Sequence, residues 1–382
     1  MSDYAYYLKQ LQRTDPELYG LPHPKIAKLV GTMSILSAIL GDQGLQYLSG
    51  LFRELDLPKG ELITRAIAKH PELLNLTKIG GKDGKINMAA LELYLAPLRF
   101  YANEGRIFEI DKELDELLAL TDIGATTPIE FFRNPFASTY FHFKACASGL
   151  SLTADQLGVT QLMGAYVTEL AVTHPEPIRE AELFLKWAGE GAGLQCFEVT
   201  LVGYPLKTIA DHGCVFLRLY VGEKMREMTV SEVLDLNFEY HKASMTYGTT
   251  QEQEEQLRAG VMHLAKAMLF VNSQSVRREE FFEESALYSR LKGLGAKKLA
   301  KQTRRLERTY DRIRISIEAS SSIEGQEEQG RGPVRAHWRR GHFRHQPFGP
   351  GRAQNRLLWI RPMRVGTLKK PDEPGRSYTV KA

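Results

Sequence analysis

Three histidines set among arginines, in the run Arg335-Ala-His337-Trp-Arg339-Arg340-Gly-His342-Phe-Arg344-His345, are the residues of this chain whose types and spacing best suit chemistry. Attack of an RNA 2′-hydroxyl on its own phosphate needs one group near neutral pKa to take a proton and another to give one, with cations to stabilise the developing charge. His337 and His342 are the candidates for that acid and base. The same residues have two plainer readings, as phosphate contacts or as rings packed in a strand. Phosphate contact is favoured over catalysis, because the run offers no third group to orient a histidine. Metal ligation is disfavoured, since neither carboxylate nor cysteine accompanies the trio and the flanking cations would repel an ion.

From Arg331 to Pro371 there are eleven Arg and Lys residues, no Asp or Glu, and two of the chain's three tryptophans. Charge of one sign interleaved with aromatics suits a surface that holds phosphates and stacks on exposed bases. Arg335, Arg339, Arg340, Arg344, Arg352 and Arg356 are the expected contacts to RNA or ribosome. The net charge of +4 over 382 residues hides this asymmetry: residues 331–382 hold thirteen basic and two acidic side chains (+11), so residues 1–330 sum to −7. Alternate residues of a strand face opposite ways, so Trp338 and Trp359 are expected to pack inward.

The elements that must position these residues follow from periodicity. Residues 1–125 read as helical, with apolar positions at helical spacing through 26–40, 44–55 and 88–101, punctuated by Pro22, Pro24, Pro58 and the glycines of 80–84. Thr127-Pro-Ile-Glu130 carries a helix-start signal. From Ser138 the period becomes two, with strands expected at 138–144, 166–172, 183–187, 196–202 and 214–221 in an antiparallel sheet. Thr229-Val-Ser-Glu232 is a second capped start, opening a helix through Tyr240, and a longer helix over 251–272 is expected to cover the sheet. A basic helix over 297–308 and a strand over 310–317 precede a stretch with linker composition. Beyond it, 334–344 and 356–365 flank the Gly349-Pro-Gly351 turn as a potential hairpin.

The domain reading is therefore a helical region over 1–125, an α+β unit over 126–318, a linker over 319–333 and a basic, β-rich C-terminal module over 334–382, tethered by the linker. The fold class is α+β, with a central, mainly antiparallel sheet covered by helices. Cys146, Cys196 and Cys214 are too scattered for a disulfide framework and read as reduced core thiols. His142, His212 and His263 are isolated and read as core or surface residues, and Glu279–Glu284 as a solvated helix face or a partner for the basic module. With no signal-like start and no apolar run of membrane-spanning length, the sequence reads as soluble and cytoplasmic, with no membrane partner. No cofactor or metal motif is present.

Arg339-Arg-Gly-His-Phe343, Gly349-Pro-Gly-Arg352 and Leu358-Trp-Ile-Arg-Pro362 resemble the C-terminal signature of a type V-A anti-CRISPR family. Ile107-Phe-Glu-Ile-Asp111, Thr127-Pro-Ile-Glu-Phe-Phe132, Tyr140-Phe-His-Phe143, Thr229-Val-Ser-Glu-Val-Leu-Asp235 and the helix end over 264–274 fall in the expected order, so the resemblance covers roughly residues 100–366. It implies a phage- or plasmid-type regulator that lowers production of a type V-A CRISPR effector nuclease. It does so by recognising the nascent polypeptide and causing translation-dependent loss of its messenger RNA. The expected partners are then a nascent polypeptide and RNA or ribosome. Two alternatives stand beside it: an endoribonuclease toxin using its own His and Arg residues, and a direct protein-binding inhibitor of a CRISPR effector.

Overall fold

The computed structural model describes residues 23–25, 32–55, 59–78, 88–144, 147–154, 158–172, 186–188, 193–205, 214–244, 251–273, 276–291, 293–306, 310–317 and 337–365. Arg335, His212, the glycines of 80–84, the 319–333 linker and the strand expected at 183–185 lie outside these. The helices are α1 (Thr32–Leu51), α2 (Lys59–Lys69), α3 (Met88–Ala102), α4 (Lys112–Ala119), α5 (Val230–Ser244), α6 (Gln251–Val271), α7 (Glu283–Ser289) and α8 (Ala296–Leu306). The strands are β1 (Arg106–Ile110), β2 (Thr121–Asp122), β3 (Ser138–Phe143), β4 (Ser151–Ala154), β5 (Gly158–Val172), β6 (Leu194–Pro205), β7 (Cys214–Val221), β8 (Val276–Phe281) and β9 (Arg312–Ile317). Four more, β10 (His337–Arg339), β11 (Gly341–Phe348), β12 (Gln354–Ile360) and β13 (Met363–Val365), lie near the C-terminus.

The α+β class holds, with a central sheet flanked by helices. The sheet has eight strands in the order β7-β6-β5-β3-β1-β9-β8, with β4 beside β5. It is mixed: β1 pairs in parallel with both β3 and β9, and the remaining pairs are antiparallel. Reading 1–125 as helical therefore fails at Arg106–Ile110, which is an interior strand. Five residues with alternating apolar and polar faces are too few to outweigh the helical pattern on both sides. β8 takes in Glu279 and Glu280, so the acidic run is a strand end and a helix start, not one helix face. Lys186 and Trp187 form a helical turn instead of a strand.

Strand alternation gives the sheet two unlike faces. Phe108, Ile110, Phe141, Phe143, Val167, Val199, Leu201, Ile313 and Ile315 point to one face, where they share a single apolar core with α4, α5 and α6. The other face carries Glu109, His142, Glu198, Arg218, Arg312 and Arg314, interspersed with Ile107, Tyr140 and Tyr166. Ion pairs fill this second face. Glu109 on β1 holds Arg312 at 3.3 Å and Arg314 at 3.1 Å on β9 and accepts from the Tyr310 hydroxyl at 2.9 Å. Burial works to raise the pKa of Glu109, but that hydroxyl and the cations Arg312, Lys144 and Arg314 together hold its carboxyl below the usual range.

The helical N-terminal unit docks on this ionic face. Its own core is Leu36, Leu48, Phe52, Leu62, Leu73, Leu95 and Leu98. Arg99 on α3, 2% exposed, donates to Glu198 at 2.7 Å and to the Glu54 carbonyl at 2.9 Å, while Arg218 approaches the other Glu198 oxygen at 3.4 Å. Thr229 and Glu232 form the expected capping box at the start of α5: the Thr229 amide donates to the Glu232 carboxylate at 2.8 Å, and the Glu232 amide to Thr229 Oγ1 at 3.3 Å. The matching signal at Thr127 gives no α-helix. Thr127 Oγ1 donates back to the Ile123 carbonyl at 2.5 Å, Pro128 bridges to Thr229, and only the short 3-10 turn Ile129–Phe131 follows.

His142, 1% exposed on the ionic face, has neither ring nitrogen hydrogen-bonded among the described residues, and it meets the His23 ring edge-on at 5.0 Å. Burial pushes its pKa down from 6.5 to about 4; Lys144 adds to the shift, and Glu109 and Asp115 partly oppose it. The folded pKa lies below the unfolded one, so the unfolded chain binds the proton first and stability falls as pH drops from 6.5 toward 4. We expect His142→Phe to remove about 3 kcal/mol of that acid loss. Denaturant midpoints measured near neutrality and near pH 4.5 should differ less in the variant than in the parent, and equal differences would contradict the assignment.

Candidate nucleic-acid interface

The C-terminal strands form a ribbon. β11 pairs antiparallel with β12 from His342↔Ile360 to Phe348↔Gln354, and β10 pairs with β13 from His337↔Val365 to Arg339↔Met363. The hairpin expected around Gly349-Pro-Gly351 is thus present. Its turn places Gly349 (φ 80°), Gly351 (φ 63°) and Arg352 (φ 57°) in the left-handed region, which the two glycines enter without steric cost.

One face of the ribbon belongs to the main core. Phe343, Leu357 and Trp359 are buried in the same apolar cluster as the sheet, and Trp359 lies edge-on to Phe270 of α6 at 4.9 Å. Trp359 Nε1 donates to Thr121 Oγ1 at 3.2 Å, which satisfies its only polar atom. β11 also pairs in parallel with β2, through Gly341↔Thr121 and His342↔Asp122. A side chain at Gly341 would meet Thr121 Oγ1 and Pro362 Cδ at 2.6 Å, so the approach of β11 to β2 requires glycine there. The expectation of a loosely tethered module therefore does not hold for residues 341–360. Sequence shows the polar joint but not that Phe343, Leu357 and Trp359 complete another unit's core.

The opposite face carries several of the expected contact residues. His342, Arg344, Gln346 and Phe348 alternate along β11, across from Ile360, Leu358, Arg356 and Gln354 of β12. The Arg356 guanidinium sits 5.3 Å from the Phe348 ring centre, a cation–π geometry. Arg339, Arg340, Arg344 and Arg352 are exposed. Arg340 has a loose, open pair with Asp122 at 3.6 Å, and Arg361, not among the expected contacts, pairs with Glu113 at 2.7 Å. The structure thus brings Arg339, Arg340, Arg344, Arg352, Arg356 and His342 onto one ribbon. His345 points the other way, half-buried beside Phe131, and His337 occupies β10, across the β10–β11 junction from His342. No described group supports His342 as the Asp of a triad supports its histidine.

Sequence reasoning did not single out Lys266 of α6. Burial lowers its pKa, with Asp122 opposing the shift and Arg340 adding to it. A single lysine on an apolar helix carries no sequence signal of its own. Among the described residues no group of three or more His, Cys, Asp or Glu is placed to hold a metal ion. No described helix is long and apolar enough to cross a membrane.

Residues 108–367 match the sequence model of the AcrVA2-like family, described as Anti-CRISPR type V subtype A2. The chain belongs to this family. The span shared with the AcrVA2-like family starts within β1, takes in the rest of the sheet and α6, and ends just beyond β13, so it includes the ribbon and leaves out the helical N-terminal unit. No curated protein and no solved structure matches the chain.

The inner and outer faces of the ribbon should respond oppositely to truncation. Trp359→Ala opens a cavity against Phe270 and should cost about 3–5 kcal/mol. Arg344→Ala should leave the thermal midpoint unchanged. Calorimetry of the full chain checks both, and an unaffected Trp359→Ala variant would mean the ribbon is not part of the core.

Proposed function

We propose that this AcrVA2-like protein acts as an anti-CRISPR-type silencer that recognises a nascent polypeptide, in the family's case that of a type V-A CRISPR effector nuclease, and triggers loss of its messenger RNA. The ribbon supplies the contact to RNA or ribosome. The observation that carries this reading is that Arg344 and Arg356 lie on the outward side of a ribbon whose inward side is fixed in the core, with Arg339, Arg340 and Arg352 exposed on the same ribbon, within the family-matched span. A rigidly mounted array of guanidinium groups holds phosphates without first ordering the chain. The Arg356–Phe348 pair offers a surface on which an unpaired base stacks.

Replacement of Arg339, Arg340 and Arg344 by Ala should flatten the slope of log affinity against log salt by about 2 on single-stranded RNA, since each phosphate contact contributes roughly 0.7. Silencing should fall with it. Unchanged affinity and slope would remove the RNA contact from the proposal. Purified protein should leave naked RNA intact, and His337→Gln or His342→Gln should weaken silencing only modestly. Metal-free formation of 2′,3′-cyclic phosphate ends, lost in either variant by about a hundredfold, would make the protein a ribonuclease.

A further inference from the structure

A second basic surface lies outside the ribbon. Helix α8, Ala-Lys-Lys-Leu-Ala-Lys-Gln-Thr-Arg-Arg-Leu over 296–306, holds five cations and no carboxylate. Lys297, Lys298, Lys301 and Arg305 are exposed. Positions 297, 301 and 305 are successive one-turn neighbours, about 6 Å apart along the axis, so three of these charges form a stripe down one side.

This arrangement works against the stability of the helix. α4, α6 and α7 carry carboxylates in their first turns, at Glu113 and Asp115, Glu252 and Glu254, and Glu283 and Glu284, where the positive end of the helix dipole favours them. α8 has no acid in its first turn and instead sets Lys297 and Lys298 there. Lys297 and Lys301, one turn apart, repel each other at positions where an exposed helix ordinarily sets opposite charges. A merely solvated face would gain from alternating charge; a face that meets a polyanion gains from a single sign.

The apolar residues narrow the partner. Leu306 is turned into the protein, and Leu299, 40% exposed, is the only large apolar side chain of α8 left at the surface. A helix that lies in a lipid interface needs an apolar face to bury, and a protein interface needs an apolar centre. α8 offers neither, but sequence-independent attraction to a phosphate backbone requires only the cations.

We infer that α8 is a second RNA-backbone contact, gripping phosphates through Lys297, Lys298 and Lys301 without reading bases. The inference rests on the RNA reading of the ribbon and extends it: RNA is held at two separate surfaces of the full chain. Because α8 carries no aromatic residue, its contribution should be the same on every base composition, whereas the ribbon can stack bases on Phe348.

The test compares the full-length parent with Lys297/Lys298/Lys301→Ala, the same three lysines →Arg, and the ribbon variant Arg339/Arg340/Arg344→Ala. Binding to an oligouridylate and an oligoadenylate of equal length is followed by fluorescence anisotropy over about 50 to 200 mM salt. The Lys→Ala variant should flatten the log–log salt slope by about 2 on both oligomers, the Lys→Arg variant should keep the parent slope, and the losses from α8 and the ribbon should add. An unchanged slope in the Lys→Ala variant beside a flattened one in the ribbon variant would overturn the role of α8 and leave the ribbon reading intact. No RNA binding by the parent would overturn both. A Lys→Ala variant that keeps its RNA slope but loses binding to phosphatidylserine vesicles would assign the stripe to a membrane surface and overturn the inference.

Discussion

The structure depends on the second half of α6, which is buried over most of its circumference. Val261, His263, Leu264, Ala265, Ala267, Met268, Leu269, Phe270 and Val271 are all buried, and only Met262 and Lys266, one turn apart, reach water in part. A helix buried over so much of its surface needs partners on more than one flank. The sheet supplies one: Gly260 lies so close to Leu201 that a side chain there would stand 2.9 Å from it. α4 supplies a second through Asp115, which holds His263 at 2.6 Å with both groups buried. The ribbon supplies the third through Trp359 against Phe270. The fold therefore has sheet, helix and ribbon as successive layers, and the ribbon is the outer one.

The two faces of the sheet perform different physical tasks. The apolar face gives non-directional stability, and its cost of disruption scales with lost area. The ionic face contributes geometry. Arg99, Glu198 and Arg218, like Glu109, Arg312 and Arg314, are stable only when each charge meets its partner, so the helical N-terminal unit has one docked position. Removing one member of such a set strands a buried charge and costs more than the intact set contributes. Lys25, 2% exposed and paired with Glu284 at 3.0 Å, follows the same rule between the N-terminal segment and α7.

What was legible in the sequence was local. The capping box at Thr229, the long helix over 251–272 and the Gly349-Pro-Gly351 hairpin each depend on residues a few positions apart, and each is present. Thr127 carries the same cap letters as Thr229, but its hydroxyl is taken by the Ile123 carbonyl and Pro128 is drawn into a bridge, a competition no local pattern registers. β1 was missed because its partners, β3 and β9, are separated from it by about thirty and two hundred residues, as in Ile107↔Tyr140 and Phe108↔Ile313. Residue types singled out the ribbon's arginines, but that Arg344 and Arg356 share its outward face required the packing of Trp359 and the pairing of β11 with β12 and β2.

The family span begins at residue 108, after the helical unit and in the first strand of the sheet. That boundary falls across the ionic face: Glu198 and Arg218 lie inside the span, and Arg99 lies outside it. Within the span Glu198 still has one cation, Arg218, so its charge is met even without the N-terminal helices. The apolar side has no such independence from the ribbon, because Phe343, Leu357 and Trp359 close the core around α6 and all lie inside the span. The part of the chain that carries family membership is thus the part that must fold together, and its outermost layer is the basic ribbon. A surface fixed in this way cannot change its charge pattern by moving. On the proposed reading, specificity for an anionic partner would come from the spacing of Arg344, Arg352 and Arg356 on a rigid pair of strands and their turn, and not from an ordering transition on binding.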